Sequence, residues 1–85
     1  MGAYYVYILY SPSKDRLYIG QTKDLDDRLN RHNRGSSKAT KTGRPWTLIY
    51  FEAFPSRPLA MQRETYLKKL KNRTYLLSLI RPIPY

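Results

Sequence analysis

The chain has 85 residues, of which 41% are hydrophobic and 14% aromatic. This length and composition exclude a disordered protein and predict one folded domain over residues 1–85, with its core between about residues 4 and 80. The absence of cysteine excludes disulfides and thiolate metal sites, and a single histidine excludes a His-rich zinc site.

The charge is strongly positive, because 16 Lys and Arg residues stand against six Asp and Glu residues, for a net charge of +10. Six basic residues and no acid lie between Asp27 and Glu52, and five more basic residues follow Glu64. Ordinary solubility is one explanation, but so strong a field favours a polyanionic partner, with DNA first and RNA second. An anionic membrane would require a basic amphipathic helix or a lipid anchor, and neither is clear.

No apolar run approaches the ~20 residues that cross a bilayer, and the N-terminus lacks a signal peptide. We therefore expect a cytoplasmic protein that does not contact membranes. A chain this short is expected to carry a shallow groove, which suits a polymer better than an enclosed small molecule. No small-molecule cofactor is expected, and the sequence leaves the oligomeric state open.

The first predicted element is a β-hairpin. Residues 4–10 are a continuous run of aromatic and aliphatic residues, which predicts a strand covered on both faces and central in its sheet. A turn follows at residues 11–15 and a second strand at residues 17–21. If the turn is centred between Pro12 and Ser13, Tyr7 lies opposite Tyr18, with their Cβ atoms ~5 Å apart.

The alternation of side chains along the hairpin assigns residues to its two faces. The face of Tyr7 and Tyr18 also carries Tyr5, Leu9 and Gly20, and the opposite core face carries Val6, Ile8, Leu17 and Ile19. Because Gly20 has no side chain, we expect open space beside Tyr18 in which a phosphate approaches the backbone.

The next predicted element is a helix capped by Thr22 or Asp24 and ended by Gly35. Leu25 and Leu29 supply its buried face, whereas Arg28, Arg31 and His32 are expected on other faces. Residues 33–45 then form a small, polar and basic loop that contains Lys38, Lys41 and Arg44. A loop of this length is usually functional or mobile, and a phosphate-binding loop and plain disorder have equal weight.

The remaining elements are a strand at residues 46–54, a helix starting at Ser56 and Pro58 that carries Glu64, and a short helix at residues 72–80. The order of elements predicts an α+β fold, an α/β sandwich in which a small three-stranded antiparallel sheet is flanked by about three helices.

The triplets Tyr5-Val6-Tyr7 and Tyr18-Ile19-Gly20 are followed by Arg28 ten residues after the second tyrosine, His32 four residues later, and Glu64 in a later helix. This ordered set resembles the GIY-YIG nuclease family over nearly the whole chain. It is most similar to small stand-alone members of the UPF0213 type and to the N-terminal domain of the excinuclease. The first triplet departs from the family pattern, because it lacks the glycine and the isoleucine.

The resemblance implies a GIY-YIG nuclease fold and a set of catalytic residues. Tyr7 and Tyr18 are the paired active-site tyrosines, Arg28 is the arginine of the first helix, His32 matches a histidine of many members, and Glu64 is the metal-binding glutamate. A single carboxylate suits Mg²⁺, or Mn²⁺, which takes its other ligands from water and phosphate. Tyr7 is the proposed general base, aided by Tyr18 or His32, and the sequence does not fix which group takes the proton.

Each of these residues also has a structural explanation. Tyr7 and Tyr18 can be ordinary half-buried strand residues. Arg28 can pair with Asp24, and Glu64 with Lys68, one helical turn away in each case. His32 can be an exposed cation favoured by the dipole at the helix end.

The leading hypothesis is a metal-dependent endonuclease that hydrolyses phosphodiester bonds in DNA, structure-directed or active in DNA repair or recombination. The alternatives are a non-catalytic nucleic-acid-binding module and a partner-binding fragment of a larger repair assembly. Gly20, Lys38, Lys41, Arg44, Lys71 and Asn72 are the candidate nucleic-acid contacts.

Overall fold

The computed structural model describes residues 3–80, so the ends of the expected domain, residues 1–2 and 81–85, lie outside it. The elements in chain order are the strands β1 (Tyr4–Ser11) and β2 (Arg16–Thr22), the helix α1 (Leu25–Arg34), a 3₁₀ helix (Lys38–Gly43), the strand β3 (Thr47–Phe54), and the helices α2 (Arg57–Leu70) and α3 (Arg73–Ile80).

The strands form one antiparallel sheet in the order β2-β1-β3. The apolar run of β1 therefore occupies the central strand, as its composition predicts. One face of the sheet packs Val6, Ile8 and Ile19 against Ala60 and Leu67 of α2 and Leu76 of α3. The other face packs Tyr7 and Leu9 against Trp46, Leu25 and Leu29. The predicted α+β architecture is confirmed.

The predicted register of the hairpin is wrong by two residues. Tyr7 lies opposite Gly20, and Tyr18 lies opposite Leu9. The turn closes one residue later than expected, because the Ser11 hydroxyl accepts a hydrogen bond from the Lys14 amide and Asp15 adopts a left-handed conformation with φ 51°. Since side chains alternate with a period of two, a shift of two residues keeps every side chain on its expected face.

The helix termini follow their sequence signals. The Asp24 side chain accepts a hydrogen bond from the Asp27 amide at the start of α1, and Gly35 ends this helix with φ 82°. Ser56 caps α2 in the same way through the Leu59 amide. In residues 3–80, no helix combines the length and the apolar character that crossing a membrane would require.

Candidate active site

Tyr7 lies at the centre of the site, on the central strand, with only 2% of its surface exposed. Its ring crosses over Gly20, and a Cβ atom at that position would lie 2.5 Å from the Tyr7 hydroxyl oxygen. The expectation that Gly20 leaves open space beside Tyr18 is therefore wrong, because the Tyr7 ring fills the space over Gly20. The absence of a side chain at Gly20 is what lets Tyr7 reach the edge of the sheet.

His32 forms a hydrogen bond with the Tyr7 hydroxyl, with 2.9 Å between that oxygen and Nε2. The histidine is 1% exposed, since it follows Leu25 and Leu29 at helical spacing and shares their buried face. The expectation that His32 lies on another face of the helix is wrong, and so is the alternative that it is an exposed cation at the helix end. Burial lowers the pKa of His32 below its ordinary value, and the positive charge of Arg28 lowers it further. The imidazole is thus neutral at pH 7.

Thr40 bonds the other nitrogen of the imidazole, with 2.6 Å between its Oγ1 and Nδ1 of His32. Each of the two neutral tautomers of His32 satisfies both hydrogen bonds, with the Tyr7 and Thr40 hydroxyls exchanging donor and acceptor roles. Sequence reasoning missed Thr40, since nothing in a polar segment marks one threonine among its neighbours.

The segment that carries Thr40 is a 3₁₀ helix rather than the expected irregular loop. The Trp46 indole N–H donates to the Thr40 carbonyl at 2.7 Å, and the Ser11 hydroxyl donates to the Gly43 carbonyl at 2.6 Å. Asn33 binds the Trp46 backbone through both atoms of its amide group. These contacts order the segment, so plain disorder is also wrong.

Tyr18 completes an aromatic cluster with Tyr7, His32 and Trp46. Its ring centroid lies 6.4 Å from that of Tyr7, 5.1 Å from that of His32 and 6.2 Å from that of Trp46. The two tyrosines are therefore diagonal neighbours on one face of the hairpin rather than a directly opposed pair.

The pKa of Tyr7 is raised to about 12, chiefly by burial and next by the neighbouring Tyr18, while Arg28 acts to lower the pKa and Glu64 to raise it. The Tyr7 phenol is consequently protonated at neutral pH. Arg28 and Glu64 come from different helices, yet both lie near enough for their charges to act on this one hydroxyl. Contacts thus bring Tyr7, Tyr18, His32 and Arg28 together, and Glu64 of α2 lies near enough for its charge to act on Tyr7.

Arg28 lies between the tyrosine cluster and open solvent. It packs beside Tyr7 and Leu29 in a narrow crevice, and it also lines a polar groove of about 240 Å³ with Thr22 and Arg57. Within residues 3–80 it forms no ion pair, so the pairing expected with Asp24 is wrong. Arg57 was missed from the sequence, because its position depends on how α2 crosses the sheet.

The chain that builds this site is similar to known proteins over most of its length. A family model described as the GIY-YIG catalytic domain matches residues 3–76. The chain belongs to the GIY-YIG family. A UPF0213 protein of Streptococcus pyogenes serotype M5 is 42% identical over 77 residues, which cover 89% of this chain and 83% of that protein. A UPF0213 protein of serotype M2 gives the same values.

A solved structure extends the similarity to the fold. The solution NMR structure of the UPF0213 protein BH0048 from Bacillus halodurans matches with a TM-score of 0.60 and 37% identity, covering 94% of this chain and 88% of that one. The UPF0213 names state no activity.

Glu64 is the carboxylate to which the family resemblance assigns a metal. Its side chain is 19% exposed and forms an ion pair with Lys68 at 2.8 Å, as the structural explanation expected. Residues 3–80 contain no group of three or more His, Cys, Asp or Glu side chains that could enclose a metal. A single carboxylate such as Glu64 fits Mg²⁺ or Mn²⁺, which are held by one or two carboxylates, water and substrate phosphate.

Apart from Gly20, which the Tyr7 ring covers, the predicted nucleic-acid contacts fall into two groups. Lys38, Lys41 and Arg44 are exposed on and beside the 3₁₀ helix, and the Arg44 Nε–H donates to the Lys41 carbonyl. At the junction of α2 and α3, Lys71 is exposed with φ 46°, and the Asn72 side chain caps α3 by accepting from the Tyr75 amide. The structure thus gives Asn72 a local role, and its contact with nucleic acid stays a prediction.

Proposed function

We propose that this protein is a divalent-metal-dependent endonuclease that hydrolyses phosphodiester bonds in DNA. The observation that carries the proposal is the buried hydrogen bond between Tyr7 and a neutral His32, beside an arginine with no ion pair in residues 3–80 and a carboxylate from a second helix. The net charge of +10 supports a polyanionic substrate.

The geometry supports a proton relay rather than a free phenolate. With a pKa of about 12, Tyr7 is ionised in only about one molecule in 10⁵ at pH 7. In the tautomer that carries its proton on Nδ1, His32 donates to Thr40 and accepts from the Tyr7 hydroxyl through Nε2. Tyr7 can then take a proton from the attacking water as its own proton passes to His32.

The other bond changes of the reaction take place at the phosphorus atom. The water oxygen forms a bond to phosphorus, the bond from phosphorus to the 3′ oxygen breaks, and that oxygen takes a proton from solvent. Arg28 keeps its charge and binds the phosphate oxygens on which negative charge grows.

Glu64 would hold the metal, which when bound supplies positive charge to the phosphate and the leaving oxygen. In its absence, Lys68 neutralises the same carboxylate. Removing the metal with a chelator is therefore expected to abolish cleavage while leaving the protein folded.

The test is cleavage of labelled duplex, branched and single-stranded DNA and RNA with Mg²⁺ or Mn²⁺. We expect Tyr7→Phe and Glu64→Gln to lose cleavage while they keep nucleic-acid binding. Tyr5→Phe, on the same strand and face, and Asp26→Asn, on the exposed first turn of α1, are the matched controls and are expected to cut like the wild type. If the wild type binds these substrates and cuts none, the protein is a binding module that kept the nuclease fold.

We also propose that the cleavage is structure-directed and serves DNA repair or recombination, which the small size of the site supports. The polar groove beside Arg28 has a volume of about 240 Å³, a size that suits recognition of DNA shape better than the reading of several base edges. Comparing branched with linear duplex in the same panel tests this part of the proposal.

A further inference from the structure

A second groove lies on the outer face of α2, away from the tyrosine cluster. It has a volume of about 610 Å³, and its lining includes Arg57, Met61, Tyr66 and Lys69. Met61 is 48% exposed and Tyr66 50% exposed. An aromatic and a thioether side chain thus form an open apolar floor between two basic residues.

The basic residues at the two ends of this groove are not neutralised locally. In the described part of the chain, Arg63 pairs with Glu52 and Lys68 pairs with Glu64, whereas Arg57 and Lys69 form no ion pair. The two cations are twelve residues apart on one helix, which corresponds to ~18 Å. The ends of the groove are therefore complementary to a negatively charged chain rather than to a neutral peptide or a second copy of this basic protein.

Two cation–π contacts hold the groove in shape. The Arg57 guanidinium carbon lies 5.7 Å from the centroid of the Tyr4 ring. The Arg63 guanidinium carbon lies 5.6 Å from the centroid of the Tyr66 ring, and Arg63 is itself fixed by two hydrogen bonds to Glu52. Tyr66 is thus supported from within the protein while half of its surface faces solvent.

Arg57 also connects this groove to the candidate active site, because it lines the polar groove that contains Arg28. A strand that runs along α2 past Arg57 arrives beside Arg28. We infer that the outer face of α2 binds a single-stranded arm of the DNA substrate, with bases on Tyr66 and Met61 and phosphates on Arg57 and Lys69. The choice of DNA rests on the proposed nuclease function.

The chemistry selects an unpaired arm over a duplex. A duplex keeps the faces of its bases inside the stack and offers phosphates to a protein surface, whereas a single strand exposes base faces to an aromatic ring. The preferred substrate is then a duplex with a single-stranded arm, cut near the junction where the strand reaches Arg28.

The experiment measures binding by fluorescence anisotropy without added metal, with a duplex that carries a short single-stranded arm and with the same duplex made blunt. We expect Tyr66→Ala to bind the armed DNA about 5- to 150-fold more weakly and the blunt duplex unchanged. Tyr66→Phe keeps the ring and is expected to bind like the wild type. Phe51→Ala removes an equally exposed aromatic residue, 50% exposed on β3, and serves as the control.

The inference is overturned if Tyr66→Ala binds the armed DNA normally, or if it loses the same affinity for both DNAs. It is also overturned if sedimentation shows a dimer that Tyr66→Ala dissociates, since a second copy would then occupy the groove. The nuclease proposal is tested separately, because cleavage of blunt duplex depends on Tyr7 and Glu64 and is expected to survive in Tyr66→Ala.

Discussion

At the scale of the residue, Gly20 and Tyr7 act as one steric unit. A methyl group at position 20 would meet the hydroxyl end of the Tyr7 ring at 2.5 Å, so one of the two must move. We expect Gly20→Ala to lower the free energy of unfolding by about 1–3 kcal/mol, the usual cost of overpacking, and to abolish cleavage by displacing the hydroxyl from His32. Urea unfolding and a cleavage assay measure the two effects.

A double-mutant cycle separates this clash from a general weakness of β2. In Tyr7→Ala the ring is gone, and adding Gly20→Ala is then expected to cost much less than it does in the wild type. Additive losses would show that the glycine acts through something other than Tyr7.

The same residues show how far the sequence could predict the site. Tyr7, Tyr18, Arg28, His32 and Glu64 follow from a resemblance that depends on their order in the chain. Leu25, Leu29 and His32 also share a helical spacing. This spacing was enough to predict the burial of His32, although His32 was expected on another face. Thr40 was not visible, because its contact with His32 depends on tertiary hydrogen bonds from Trp46 and Ser11.

At the scale of the element, the 3₁₀ helix carries a structural and a charged role on different residues. Thr40 points inward to His32, whereas Lys38 and Lys41 are exposed on either side of it. If these lysines contact DNA phosphates, Lys38→Ala and Lys41→Ala are each expected to reduce the slope of log K against log salt concentration by about 0.9 on duplex DNA. Anisotropy titrations at several salt concentrations measure the slope.

Lys14→Ala removes the same charge from the exposed hairpin turn, outside the 3₁₀ helix, and is expected to leave the slope unchanged. Equal slopes in all the variants would remove the 3₁₀ helix from the DNA interface.

The hairpin shows what an element's own sequence leaves open. The run of residues 4–10 was enough to predict a central strand, and alternation was enough to assign its faces. The register depended on the turn, where the Ser11 hydroxyl and the left-handed Asp15 set the closing pair at Ser11 and Arg16. Proline at position 12 did not mark the centre, because it is compatible with more than one turn.

At the scale of the whole molecule, the buried site couples stability to pH. The pKa of His32 is lowered by folding, so the unfolded chain binds a proton near pH 6.5 that the native protein does not. The contribution of His32 to the free energy of unfolding is then fully present above pH 6.5, and it is lost as the pH drops toward the native pKa. Tyr7 acts on the alkaline side, where stability present below pH 10 is lost as the pH rises toward about 12.

Urea unfolding of the wild type and of His32→Gln between pH 7.5 and about pH 5 tests the acid side, because most carboxylates titrate below that window. We expect the free energy of unfolding to fall with decreasing pH in the wild type and to stay nearly flat in His32→Gln. Parallel curves would mean that another group carries the dependence.

The central strand has a consequence for how the site forms. Val6 and Ile8 anchor one core while Tyr7 and Leu9, alternating with them, anchor the other, so the same backbone amides lie under both. Hydrogen exchange at these amides should then require opening of the entire sheet, with protection close to that of global unfolding. We then expect no local unfolding that exposes Tyr7 alone, so the hydroxyl that we propose to act in catalysis is in place whenever the chain is folded, before any substrate binds.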